Sequence, residues 1–333
     1  MPIDSDFAYT VLTALGVGTA FGYVAQRGRF CMNSAMRNVI LLRDFLLFRT
    51  YLLALCVAVA GTQALFAMGL VEGVKLKEFY YAANIIGGLV FGIGVVLAGG
   101  CDSGSMYRMG EGMLGSWAAV YAFGLGAAVT GVGVFSGLRT WLRSFQITVD
   151  GDVATLVNLL GWNRWVFVSI AVFFAVLGLV LGKKEKHQKG WGWRASGVGM
   201  GAIIPLAWYF SARSEYSFGF TFSGPTANLF TYASAGIPWT IDWGMLALAG
   251  VPLGAFIGAI RGREFKWRVS PPPRLIQQFA GGLIMGFGAR LAGGCTIGQG
   301  LTNSAMLTVG SLVTMVFIVL GAWAMVYIMF MRE

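Results

Sequence analysis

The chain reads as a succession of apolar runs near twenty residues long, parted by short polar stretches. "YLLALCVAVAGTQALFAMGL" (51–70) and "WVFVSIAVFFAVLGLVLG" (165–182) are two of them. At about 1.5 Å of rise per residue, each makes a helix able to cross roughly 30 Å of hydrocarbon. The pattern predicts nine crossings, near 8–25, 47–69, 81–99, 113–134, 164–182, 196–212, 243–260, 276–293 and 310–330. Four connections do not read as plain loops: 27–46, 100–112, 213–242 and 294–309. They are rich in Gly, Ser, Thr, Asn and Met and hold short apolar pieces such as "CMNSAM" (31–36) and "GLTNSAM" (300–306). These are expected to re-enter the membrane as four short helices. Irregular backbone at that depth survives only inside protein or along a wet cavity. The expected fold is therefore an all-α polytopic membrane protein.

Composition agrees with that pattern. Hydrophobic residues make up 57% of the chain and charged ones 11%, against about 25% charged in a soluble domain. Mean hydropathy is +0.71. The first residues, "MPIDSDF", carry two acids and no Lys or Arg. They lack a basic leader, so the first run is expected to remain as a membrane helix.

The net charge of +10 lies in the connections, as orientation signals do. Seventeen of the 24 Lys and Arg fall on one set of connections, six on the other, and Arg290 lies within a run. The richer side is expected to be cytoplasmic, with the N-terminus outside and the C-terminus inside. The excess positive charge favours an anionic cargo, and nucleic acid is not an expected partner. The one histidine, His187, sits in the solvated run "KKEKHQKG", which leaves no His-based metal site or catalytic triad. Four cysteines without a CxxC spacing argue against zinc and iron–sulfur ligation. No G-x-x-x-x-G-K-[ST] is present, so neither a metal nor a cofactor is expected.

One segment occurs twice. "GGLVFGIGVVLAGGC" (87–101) and "GGLIMGFGARLAGGC" (281–295) agree at ten of fifteen positions, and both continue to G-G-C-x-x-G. Crossings one to four then form one unit and six to nine another, with the fifth as linker. The expected organisation is a first repeat over 1–140, a linker over 141–194 and a second repeat over 195–333. An odd linker starts the second unit on the opposite face, giving an inverted repeat with its site near the midplane. The spaced glycines let helices pack closely. Gly99–Gly100 and Gly293–Gly294 can end a helix with positive φ and let backbone approach a ligand. A short helix begun just after each cysteine aims free N–H groups at the centre.

Cys31, Cys101 and Cys295 head three of the four re-entrant segments, and Thr221 and Ser223 stand near the fourth equivalent position. A thiol is a soft, weak donor suited to a cargo with terminal sulfur or selenium. Three such thiols suggest a relay better than a disulfide. Cys56, inside an apolar run, reads as packing. The candidate path adds Gly99, Gly100, Ser103, Gly104, Gly293, Gly294, Thr296, Gly298 and Gln299, with Arg290 as an intramembrane cation. Asp102 either holds the neighbouring thiol neutral as a donor or caps the short helix. Arg108 and Glu111 are placed to pair in a surface turn.

The two G-G-C-x-x-G segments, the third cysteine in "RGRFC" (27–31) and the four-plus-one-plus-four layout resemble the YeeE/YedE family of bacterial sulfur-transport membrane proteins. The resemblance covers essentially the whole chain. It implies an hourglass shape, an inner-membrane location, and thiosulfate uptake along a path of three cysteines, matched here by Cys31, Cys101 and Cys295. It also implies a small soluble sulfurtransferase-like partner on the cytoplasmic face. The expected activity is transport and not catalysis, with S–H···S contacts and no covalent bond. The alternatives are transport of another sulfur or selenium species, a thiol or sulfurtransfer enzyme working through a persulfide, and a channel for a neutral solute.

Overall fold

The computed structural model describes residues 5–71, 73–149, 151–181, 190–235 and 241–332. His187 and the basic residues beside it, with their expected solvation, lie outside the described residues. Helices occupy each of the nine predicted stretches: α1 (Ser5–Gly28), α3 (Leu46–Ala67), α4 (Tyr81–Ala98), α6 (Leu114–Gly131), α9 (Arg164–Leu181), α10 (Trp193–Arg213), α12 (Trp243–Arg261), α13 (Pro272–Ala292) and α14 (Val309–Phe330). Seven helical segments among the described residues are long and apolar enough to span a bilayer. The apolar part of α9 is shorter, at Arg164–Val180. Although α13 has 21 residues, Arg274, Gln277, Gln278 and Arg290 interrupt it. The chain is a multi-pass membrane protein.

Three of the four expected short segments are α-helices: α2 (Met32–Leu41), α5 (Asp102–Gly110) and α11 (Ser223–Ala235). The fourth is a π-helical turn, Gly298–Asn303, followed by a 3₁₀ turn, Ser304–Met306. Its side chains take the carbonyls that an α-helix would use. Asn303 Nδ2 donates to Gly298 O at 2.6 Å, Ser304 Oγ to Gln299 O at 2.6 Å and Thr308 Oγ1 to Asn303 O at 3.0 Å. Each bond spans five residues, the period of a π-turn.

Small elements cover the end of the bundle where α4 begins. They are β1 (Phe79–Tyr80), α7 (Ser136–Arg143), β2 (Gln146–Val149), β3 (Asp152–Val153) and α8 (Leu156–Leu160). The strands form one antiparallel sheet in the order β1-β2-β3, with Phe79 opposite Ile147 and Thr148 opposite Val153. At the other end, 18 residues along α4 and about 27 Å away, the α5–α6 and α12–α13 connections join through Leu114 N→Arg268 O and Arg268 N→Gly112 O.

The two glycine-rich helices meet backbone to backbone. A Cβ on Gly87 would lie 2.4 Å from Ala292 N, and one on Gly281 would lie 2.1 Å from Ala98 N. Gly94 faces Met285 N and Gly288 faces Phe91 N, both at 2.4 Å. The outer flanks match as well: Gly92 abuts Ile318 O on α14, and Gly286 abuts Phe123 O on α6, each at 2.2 Å. Each contact of one helix thus has a counterpart with the two helices exchanged. No side chain fits at these positions, so dispersion between bare backbones holds the seam.

Candidate functional site

Both glycine-rich helices end alike. Gly99 closes α4 at φ 75° and Gly293 closes α13 at φ 77°, left-handed values that need glycine. The chain then turns inward to a cysteine. Cys101 Sγ accepts from Gly104 N, and Cys295 Sγ from Gly298 N, both at 3.4 Å. Cys101 is therefore the cap of α5, and the expectation of a cap role for Asp102 is corrected: Asp102 is the first helical residue. The cause is spacing, because only the residue before the turn can reach the third amide.

Cys31, the residue before α2, comes to the same place. Its Sγ lies 4.0 Å from Cys101 Sγ, contact distance for two sulfurs and about twice a disulfide bond. All three thiols are buried and free, and the half-buried Cys56 is free too. Gly104 makes the meeting possible, since a Cβ there would stand 2.6 Å from Cys31 Sγ and 3.3 Å from Cys101 Sγ. Gly298 occupies the equivalent position and faces Thr221 Oγ1 at 2.6 Å. Thr221 thus meets Gly298 as Cys31 meets Gly104.

Asp102 is fully buried; its Oδ1 accepts from Ser103 N at 2.8 Å and its Oδ2 has no hydrogen-bond partner. Ser103 Oγ lies 3.3 Å from Cys101 Sγ, while Thr296 is wholly buried with its hydroxyl unpartnered. Gln299 serves the turn: its Nε2 donates to Ala292 O at 2.8 Å and its Oε1 accepts from Ser311. Gly100 and Gly294 carry their chains past Arg108 and Gln299, at Cβ distances of 3.0 and 2.8 Å. Phe21, Phe220 and Phe222 pack together at 4.8–5.5 Å between centroids. Phe222 backbone also approaches Cys295.

A cavity of about 380 Å³ adjoins Gly293, two residues from Cys295, and its lining includes Lys77, Arg139, Arg143 and Arg290. The Nε groups of all three arginines are buried without a partner. Arg143 is braced by a bond to Arg290 O at 3.0 Å, and Lys77 lies over the Phe218 ring at 4.6 Å. The one acid in the lining, Asp242, caps α12 through Met245 N at 2.8 Å and accepts from Asn228. Burial pulls the Lys77 ammonium down to about 8, with Arg143, Arg290 and Arg139 adding to the push. Burial, then Arg139 and Arg290, lowers the Arg143 guanidinium to about 10. Clustered cations around unpartnered N–H donors can receive an anion.

Of these four cations only Arg290 stands out in the sequence. Lys77, Arg139 and Arg143 read there as ordinary loop charges. A local signal exists in the i,i+4 spacing of Arg139 and Arg143, which sets them on one face of α7. Lys77 carries no such signal. The expected Arg108–Glu111 pair is corrected too. Arg108 donates to Gly99 O at 2.7 Å, closing the turn before Cys101. Glu111, 2% exposed, accepts from Arg29 at 3.0 Å and from Gln26 at 3.1 Å. Arg29 also meets Glu264 at 2.8 Å, so a tertiary network takes the partners a local turn would have joined. Among the described residues no group of three or more His, Cys, Asp or Glu is placed to hold a metal.

The chain is similar to known transporters over nearly its full length. It is 33% identical to the thiosulfate transporter TsuA of Escherichia coli over 97% of this chain and 95% of the relative. It is 36% identical to TsuA of Spirochaeta thermophila over 97% of this chain and the whole of that protein. The probable transporter YedE of E. coli matches at 27% over 52% of this chain and 41% of its own length. All three are named as transporters and none as an enzyme. The family model for sulphur transport matches residues 27–324, and the chain belongs to that family, the YeeE/YedE sulphur-transport membrane proteins.

Proposed function

We propose that the protein takes thiosulfate up across the bacterial inner membrane, with the cation-lined cavity as its outer mouth and the thiols of Cys295, Cys101 and Cys31 as its path. The observation that carries this reading is a cavity rich in unpartnered guanidinium N–H groups whose lining includes Thr221 and Gly293, two residues from the free, buried Cys295. Thiosulfate is a dianion with one terminal sulfur. Its oxygens suit Lys77, Arg139, Arg143 and Arg290, and its sulfur suits a polarisable thiol. The names of the full-length relatives support the same cargo.

In this reading nine helices cross the membrane, the units 1–140 and 195–333 are inverted about the linker 141–194, and the N-terminus lies outside. The exchange of glycine contacts between α4 and α13, and the match of Thr221 to Cys31, support the inversion. The anion enters between the cations, exchanges water for their N–H groups, and passes its terminal sulfur from Cys295 to the Cys101–Cys31 pair by S–H···S contacts. Gly99, Gly100, Ser103, Gly104, Gly294, Thr296 and Gln299 shape this waist. The Arg29–Glu111–Glu264 network lies on the exit side, where the cargo meets a soluble sulfurtransferase-like partner. Proteoliposomes loaded with labelled thiosulfate and challenged with sulfate, sulfite and selenium analogues test the assignment. Competition by sulfate equal to that by unlabelled thiosulfate would remove the role of the terminal sulfur.

The mouth has a pH signature. Lys77 loses its charge as pH rises through about 8, so half-saturation should need several-fold more thiosulfate at pH 9 than at pH 7. Lys77→Arg keeps its charge there and should flatten that rise. An unchanged pH profile in the arginine variant counts against Lys77 as an anion contact.

A further inference from the structure

We propose that Asp102 is the proton-carrying residue of the transport cycle, neutral while the dianion passes and ionised once it has left, so that uptake is coupled to proton entry. The inference rests on the anionic cargo proposed above. Asp102 is fully buried. Its Oδ1 accepts from Ser103 N at 2.8 Å, and its Oδ2 has no partner within the protein. Asp102 follows Cys101 directly in the chain, and the Cys295 thiol is among the groups near enough to interact with it electrostatically. It therefore stands beside the proposed route of the cargo.

A carboxylate in that position repels a dianion at close range, in surroundings that screen charge poorly. Protonated, the same group becomes a donor and can bond an anion's oxygen. The titratable groups facing it are the Cys31 thiol from the α1–α2 link and the Cys295 thiol from the link after α13. On its own helix are Cys101 and Arg108, and Arg108 is engaged with Gly99 O. No salt bridge to Asp102 occurs among the described residues. The ionised form is nonetheless reachable, because Asp102 occupies the first turn of α5, where free N–H groups favour negative charge.

The other half of the molecule shows that the fold does not require an acid here. Thr296 follows Cys295 as Asp102 follows Cys101, and it too is buried with its oxygen unpartnered. The turn accepts a neutral hydroxyl at one end and holds a carboxyl at the other. The proton balance is simple: an outside proton joins the Asp102 carboxylate, one dianion passes, and the proton leaves to the inside. Each cycle then moves one net negative charge inward instead of two.

The test uses the purified full-length protein in proteoliposomes. With the voltage clamped by potassium and valinomycin, an acidic outside should speed labelled thiosulfate uptake in the wild type, and about one proton should enter per thiosulfate. In Asp102→Asn the protons per thiosulfate should fall to zero, whatever the rate, and Asp102→Glu should retain them. If the asparagine variant does not transport, proton uptake on thiosulfate binding in weakly buffered detergent replaces the flux measurement. The wild type should take up a proton on binding and the variant none. Thiosulfate counterflow in the wild type with no proton movement and no response to the gradient overturns the coupling while leaving the cargo intact. Proton movement that persists in Asp102→Asn overturns the assignment to this residue. Absence of any thiosulfate counterflow in the wild type overturns the cargo reading, and this one with it.

Discussion

Uptake of labelled thiosulfate should fall about ten- to a hundredfold when Cys101 is replaced by alanine, and should become undetectable when Cys295 is replaced as well. One hydrogen bond to an ion contributes roughly 1.5–3 kcal/mol, and each 1.4 kcal/mol or so is a factor of ten. Cys101 should be the most sensitive single position because it is touched from both sides. Its sulfur meets Cys31 at 4.0 Å and Ser103 Oγ at 3.3 Å. Alanine there also frees Gly104 N from its acceptor. Cys101→Ser separates the two losses, since it restores the cap and a donor but not a soft sulfur. Cys56→Ala is the control, with its thiol half-buried against the apolar core. Full uptake in the Cys101, Cys295 double variant would falsify the relay.

The largest effect on folding is expected from Gly281→Ala and Gly288→Ala. In each the new methyl would stand 2.1–2.4 Å from a backbone nitrogen of α4, which cannot turn aside as a side chain can. Overpacking a rigid contact costs about 1–3 kcal/mol, and here both helices must part along their length. The expected outcome is a clear drop in melting temperature in detergent and in the yield of monodisperse protein. Gly137→Ala, whose Cβ meets nothing within 4 Å, should leave both unchanged. Equal thermal stability across the three variants would show that the seam tolerates side chains.

Much of this architecture can be read from the chain because lipid leaves few choices. Apolar length sets the helices, and the predicted bounds of α4, α12 and α14 fall within a residue of those observed. The duplicated "LAGGC" marks the two turns and their cysteines in the chain itself. The spacing of the glycines announces close backbone approach but not the partner, because a helix face has no address for its neighbour. The basic cavity is illegible for the same reason. Lys77, Arg139, Arg143 and Arg290 come from three separate stretches of chain, and only tertiary packing makes one cavity of them. Glu111 misleads in the opposite direction. A cation three residues away suggests a local pair, yet Arg29 and Gln26, more than eighty residues upstream, hold its carboxylate. The final short segment reads as helical, and its π form follows from three side-chain bonds that no periodicity encodes.

The bare seam between α4 and α13 also limits how the protein can turn over. Rocking-bundle and elevator carriers slide one half past the other, and a slide of one residue here would drive carbonyls and Cα atoms into each other along the whole interface. A seam this close favours turnover in which α4 and α13 keep their register and movement falls on the links at Gly28–Cys31, Gly99–Cys101 and Gly293–Cys295 with the short helices they carry. Turnover should then have the modest activation enthalpy of a filter that flexes, not that of a carrier that swings. A chemical cross-link joining α4 to α13 should leave uptake intact, and one joining α2 to α5 should stop it.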